Sequence, residues 1–169
     1  LHFDPTADAA LVPALQAAPA SHWAAILDRA PATPLGRYGQ DPGWPLVRSA
    51  LDAMQATLPH PGFLVLPGDF LAHSFRRKFD ATAPDHSDAA YHAFVVGTFA
   101  FLADELRRRF PDVTIFPALG NNDSVCGDYR LRPGGPFLAA TLPIVHALTR
   151  TDSSTAFDAE WSRLGQYDL

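Results

Sequence analysis

A single cysteine, Cys126, among 169 residues leaves no partner for an intramolecular disulfide. A disulfide framework and a cysteine-rich zinc site are therefore both excluded within this chain. Basic residues are in deficit, 13 Lys and Arg against 18 Asp and Glu, for a net charge of -5. No overall positive field exists to recommend nucleic acid or an anionic membrane as a partner, and no nucleic-acid-binding surface is evident. Charged residues make up only 18% against 47% hydrophobic ones, which rules out a disordered tail or a charge-patterned coiled coil. Long apolar runs are missing too. The most apolar stretch, 93–102, falls well short of the roughly 18 residues that cross a bilayer, and no charged segment precedes an apolar signal core. No internal repeat and no low-complexity linker divides the chain. What is abundant is proline, 16, and glycine, 11, which imply many chain reversals. The expectation is one globular domain over residues 1–169, long enough to bury a real core.

Pattern and punctuation give the order of elements. Ser21 is placed to cap a short helix presenting Trp23, Ile26 and Leu27, with Pro31 forbidding its continuation. The Pro- and Gly-rich stretch 34–45 reads as an extended loop entering a helix that carries Leu46, Val47, Ala50, Leu51 and Met54. Pro59 to Gly62 end that helix, and Phe63-Leu64-Val65-Leu66 reads as a short buried strand. Ser87 and Asp88 begin the longest helix, whose apolar stripe runs from Tyr91 to Leu106 at steps of three and four and closes on Arg107, Arg108 and Arg109. A second buried strand follows at Val113–Pro117. Strand, helix, strand is a βαβ unit, so the strands are expected to run parallel with their carboxyl ends on one edge. In open α/β sheets that edge binds ligands. Beyond it, Phe137–Leu148 reads as a helix broken or bent at Pro143, and Ser153 or Ser154 as the cap of a helix with Phe157, Trp161 and Leu164.

The chemistry lies where the strands end. The first runs on as Pro67-Gly68-Asp69-Phe70-Leu71-Ala72-His73, a carboxylate directly after a glycine turn and an imidazole four residues later. The second runs into Gly120-Asn121-Asn122-Asp123. A third fragment, Leu1-His2-Phe3-Asp4-Pro5, spaces His and Asp as alternating positions on one face of an ending strand. Glycine lets the backbone turn sharply so that the next side chain projects over the sheet edge. Aspartate, asparagine and histidine converging there suit a divalent cation such as Zn, Mn or Fe. Two such ions polarise a phosphoryl group and generate a hydroxide near neutral pH.

The ordered trio resembles the calcineurin-like metallophosphoesterases, in particular their acid sphingomyelinase-like phosphodiesterase branch. His2-Phe3-Asp4-Pro5 is similar to the end of that branch's opening Asp-x-His-Phe-Asp-Pro motif, Gly68-Asp69 with His73 to its second, and Gly120-Asn121-Asn122-Asp123 to its third. The resemblance implies an α/β fold, part of a calcineurin-like αββα sandwich with parallel strands joined by a βαβ crossover. It implies hydrolysis of phosphate mono- or diesters by a metal-bound hydroxide. His2 would bind one of two divalent ions, Asp69 would bridge both, and Asn121 would bind the second through its amide oxygen. His73 would act beside the phosphoryl group as donor to the leaving group.

Two departures carry consequences. Asn122 stands where the family has a histidine, and an amide donates a hydrogen bond but exchanges no proton near pH 7; the general-acid role therefore shifts to His73. The family's first aspartate and its later histidine ligands have no counterpart between Leu1 and Leu169, so the chain is expected to be the N-terminal portion of a longer enzyme, truncated at both ends, weakly active or inactive alone, and with its own C-terminal half as partner. Branch relatives are often exported, which would make this chain exported or periplasmic. The competing reading is a catalytically weakened or inactive binding or structural module of the same descent. Residues outside the motifs take ordinary readings. Arg76, Arg77 and Lys78 form a solvated loop or helix start, and His22, His60, His86 and His92 are surface or satisfied core residues. Cys126 is a free buried thiol, His146 sits on an apolar helical stretch, and Asp128 and Tyr129 border the substrate rim.

Overall fold

The computed structural model describes residues 1–30, 36, 38–151 and 155–168. In order these form α1 (Val12–Ala17), a 3-10 turn (Ala20–His22), α2 (Trp23–Leu27), α3 (Trp44–Thr57), β1 (Phe63–Leu66), α4 (Phe75–Thr82), α5 (Asp88–Arg109), β2 (Thr114–Pro117), α6 (Pro136–Thr149) and α7 (Thr155–Leu164). The two strands pair in parallel, with Phe63 opposite Thr114 and Leu66 opposite Pro117. The crossover between them contains α4 and α5, so the fold is α/β with the expected parallel pair, consistent with part of a calcineurin-like fold.

The centre is α5. Its 22 residues start at Ser87, whose side chain accepts a hydrogen bond from the Ala90 amide, and end on three arginines placed against the carbonyl end of the dipole. Loss of that cap in Ser87→Ala costs about 1 kcal/mol of stability, read by chemical denaturation, with the midpoint moving and the slope unchanged. The buried surface of α5 is wider than one stripe, because helices lie on more than one side: α3 and α6 both pack on it. Phe101 contacts Phe3, Trp23 and Trp44, joining the N-terminal segment to the core. At the far end of α5 the buried Arg109 pairs with buried Glu105 one turn back and with Asp52 of α3 at 2.6 Å, so its desolvated charge is met twice.

Several local expectations change. Only one face of the sheet is covered: Ile115 is fully buried and Leu66 nearly so, whereas Phe63 and Val65 are each 59% exposed. The run Phe63–Leu66, expected as a buried strand, is thus exposed at alternate positions, while α6 packs against β2. Ser21 lies inside the 3-10 turn and caps nothing; the entry to α2 has no side-chain cap. α6 continues through Pro143 as one element. Cys126 is exposed rather than buried. His22, His60 and His86 are at the surface as expected, while His92 has a buried Nε2 with no hydrogen-bond partner among the described residues. The proposed caps Ser153 and Ser154 lie outside the described residues. Among the described residues no helix is long and apolar enough to cross a membrane.

Candidate metal centre

Two turns leave the carboxyl ends of β1 and β2 and meet backbone to backbone. Gly68 sits at φ 107°, and a Cβ built there would lie 2.3 Å from the Gly120 amide nitrogen; one on Gly120 would lie 2.3 Å from both the amide nitrogen and Oδ1 of Asp69. The glycines are thus required by mutual approach as well as by the turn itself. Asp123 fastens the junction: its Oδ1 accepts from the Leu71 amide at 3.1 Å and its Oδ2 from the Gly120 amide at 2.8 Å. Burial pushes the Asp123 carboxyl above its ordinary value, and the negative charge of Asp69 adds to this, against the opposing hydrogen bonds from Gly120 and Leu71.

The N-terminal segment supplies the third piece. Phe3 forms an isolated parallel bridge with Leu71, donating its amide hydrogen to Phe70 O at 2.9 Å and accepting from the Ala72 amide at 3.2 Å. It is a single bridge and not the end of a strand, because His2 before it turns into the left-handed region at φ 49°. That turn brings His2 Nε2 to 3.5 Å from Asp69 Oδ2. Asp69 is itself left-handed, at φ 51°. Two adjoining non-glycine residues held in a sparsely populated conformation mark a site whose surroundings over-determine it.

Asp69 therefore divides its two oxygens. Oδ1 accepts from the Asn122 backbone amide at 3.0 Å and from its side-chain Nδ2 at 3.1 Å, while Oδ2 faces His2. Asn121 donates its own Nδ2 to Asn122 Oδ1 at 3.2 Å, and its Oδ1 accepts no hydrogen bond among the described residues. Asn122 is almost fully buried and supports Asp69. His2, Asp69, Asn121 and Asn122 are thus one contiguous group at the sheet edge.

His73 joins the group from the side. Its ring stacks on His2 with centroids 4.4 Å apart and planes within 9°, and its side chain is 62% exposed. Its Nδ1 lies 2.7 Å from Asp41 Oδ1, and its backbone amide donates to Asp41 Oδ2 at 3.1 Å. An ionised carboxylate only accepts, so Nδ1 carries the hydrogen and Nε2 is the nitrogen left for other chemistry. Asp41 belongs to the Pro- and Gly-rich loop and had no motif to announce it. Lys78 of α4 salt-bridges Asp41 at 2.5 Å and Asp4 at 2.8 Å. Burial would raise the Asp41 carboxyl, but the hydrogen bonds from Lys78 and His73 outweigh it and hold the group below its usual 3.8. A lowered folded value stabilises the fold above the ordinary carboxylate range and loses that contribution as pH falls through the folded value. The stability difference between the wild type and Asp41→Asn is accordingly expected to be constant at neutral pH and to shrink below about pH 4. Denaturation midpoints measured from pH 7 down to pH 3 check this.

The donor set fits a divalent cation on two observations. His2 Nδ1 is buried without a hydrogen-bond partner among the described residues, and His2 Nε2, Asp69 Oδ2 and Asn121 Oδ1 are an imidazole, a carboxylate and an amide oxygen without internal saturation. His2, Asp41 and His73 also bring ligand-type atoms within 4.8 Å of one another, but Lys78 and the Asp41–His73 hydrogen bond already occupy that carboxylate.

No family model matches the chain. It is 32% identical over 123 residues to the acid sphingomyelinase-like phosphodiesterase 3b of Mus musculus, and 31% identical over 123 residues to the protein of the same name from Homo sapiens. Each match covers 73% of this chain and 24% of the relative, so the chain spans about a quarter of the length of the curated relatives it matches. By this similarity the chain is related to proteins named as phosphodiesterases, hydrolases at the coarsest level.

Proposed function

We propose that this chain carries part of the active site of a phosphoesterase that depends on divalent cations, with a small phosphate mono- or diester as substrate. The observation that carries the reading is Asp69 held between His2 and Asn122 at the carboxyl edge of a parallel pair. His2, Asp69 and Asn121 would hold the cations, Zn, Mn or Fe, with Asp69 shared between two of them. Bound there, the ions supply a positive field that polarises a phosphoryl oxygen and lowers the pKa of water.

The chain's own residues would do the rest. Asn122 fixes the Asp69 carboxylate through Oδ1 and leaves Oδ2 toward His2. Asp41 orients His73 by accepting from Nδ1, which leaves Nε2 as the nitrogen that takes up or gives a proton. In hydrolysis an oxygen of water bonds to phosphorus and loses its proton to solvent as the ester bond breaks, while His73 in its imidazolium form gives the Nε2 proton to the departing oxygen, keeps Nδ1–H on Asp41, and regains a proton from solvent. His73→Gln then lowers kcat by roughly 10²- to 10⁴-fold, the range for a lost general acid. The deficit is smaller on a p-nitrophenyl ester, whose leaving group needs no proton, than on an alkyl ester. The test is turnover of p-nitrophenyl phosphate and bis(p-nitrophenyl) phosphate by the metal-stripped full-length protein resupplied with Zn, Mn or Fe. Cation-dependent release of nitrophenolate supports the reading; none from either ester with any of the three metals rejects it.

A further inference from the structure

We propose that Lys78 is a positioning residue of this site: its ammonium, shared by Asp4 and Asp41, keeps the Asp41 carboxylate turned onto His73 and so fixes which nitrogen of that imidazole carries the hydrogen. The inference rests on the proposed role of His73, but the arrangement behind it is independent of any substrate. Lys78, Asp4 and Asp41 have side chains 25%, 10% and 11% exposed, so all three charges are largely withdrawn from water. Asp4 is pinned by accepting from Thr6 through both the amide, at 3.0 Å, and the hydroxyl, at 2.6 Å. Its second oxygen takes the ammonium at 2.8 Å. The other side of that ammonium meets Asp41 Oδ2, and Asp41 Oδ1 meets His73 Nδ1.

The backbone of the Asp41 loop is tethered separately, since the Asp4 amide donates to Pro42 O at 2.9 Å. Lys78 therefore governs the carboxylate and not the course of the loop. Remove the charge, and two nearly buried carboxylates face each other with no cation between them. Like charges so placed repel, and one must turn to water or take a proton. Asp4 is held by Thr6 through the oxygen that Lys78 does not use, whereas Asp41 takes Lys78 and the His73 backbone amide on the same Oδ2; Asp41 is the one that yields, and His73 Nδ1 loses its acceptor. The neighbouring arginines do not hold this place: Arg76 is committed to Asp80 and Asp88, and Arg77, which borders the same cavity, pairs with neither carboxylate.

The test reads the tautomer directly, with the whole 169-residue chain carrying ¹⁵N-histidine, at about pH 8.5, where an ordinary imidazole is neutral. Four forms are compared: wild type, Asp4→Asn, Lys78→Met and Lys78→Met with Asp4→Asn. The wild type and Asp4→Asn are expected to show His73 as the Nδ1–H tautomer. Lys78→Met is expected to shift His73 mostly to Nε2–H, and the double variant to recover at least half of the Nδ1–H population, because relieving the repulsion replaces the missing cation. A role confined to packing predicts no recovery. Lys78→Gln keeps the stem without the charge and gives the same reading should the methionine variant not fold. Wild-type His73 lacking the Nδ1–H tautomer, a folded Lys78→Met or Lys78→Gln that retains it, or a double variant no better than the single overturns the proposal. Because no substrate is needed, a full-length protein inert toward phosphate esters rejects the phosphoesterase reading while Lys78 is still judged by the spectrum. In an active chain Lys78→Met lowers kcat by about 10- to 100-fold, the range for a supporting residue, with KM nearly unchanged.

Discussion

Asp69→Asn is expected to remove at least about 10³-fold of cation-dependent phosphoesterase activity while leaving the fold intact. The two effects separate because the carboxylate has two unlike duties. Toward Asn122, Oδ1 only accepts hydrogen bonds, and an amide oxygen accepts them equally well. Toward His2, Oδ2 offers negative charge, and an amide nitrogen offers none. The backbone favours the exchange as well, since asparagine tolerates the left-handed φ of 51° at this position. Asp69→Ala is the less clean variant, because it also strands two donors of a buried Asn122 at a cost of roughly 1–3 kcal/mol. Thermal denaturation beside turnover distinguishes the two; an asparagine variant that keeps more than a tenth of the activity contradicts the role given to Asp69.

Gly120→Ala is expected to cost about 2–4 kcal/mol, with loss of cation binding in whatever remains folded. Its Cβ would meet the Asp69 amide nitrogen and carboxylate oxygen, both at 2.3 Å, and neither is the free end of a flexible side chain. The turn must open, which pulls Asp123 from the Gly120 amide and Asn122 from Asp69. Gly127→Ala serves as the control: it meets nothing within 4 Å, so its only cost is the strain of a φ of 93°. Urea midpoints of the two variants make the comparison, and equal losses would mean that contact between the turns contributes nothing.

Much of this arrangement could be read from residue order alone. Short apolar runs bounded by Pro and Gly gave both strands, and the Ser87 cap with the terminal arginines bounded α5. The parallel pair followed from the strand, helix, strand order, which is also why residues 69 and 121 could be expected on one edge. Other features had no local signal. α4 presents only Phe75 and Phe79 to the core, too few apolar positions to declare a helical period beside the longer α5. Asp41 and Lys78 are an unremarkable loop acid and one of three consecutive basic residues. Their roles arise from a contact spanning 37 positions, and pairing at that separation leaves no pattern in a single sequence. The exposed sheet face reflects which helices pack where, a fact of tertiary structure that the run Phe63–Leu66 cannot encode. Asn122 was legible as a departure from the family's histidine but not as a support for Asp69, because a motif gives a residue's position and not the direction of its amide.

His2, Asp69 and Asn121 are the residues proposed to hold a divalent cation together at the sheet edge. Paramagnetic line broadening on titration with Mn²⁺ tests this most directly. The account predicts that resonances of His2, Asp69 and Asn121 broaden first in the wild type and are spared in Asp69→Asn. Broadening that begins instead at the exposed acids Asp80 and Asp112, or that is unchanged by the asparagine substitution, would contradict it.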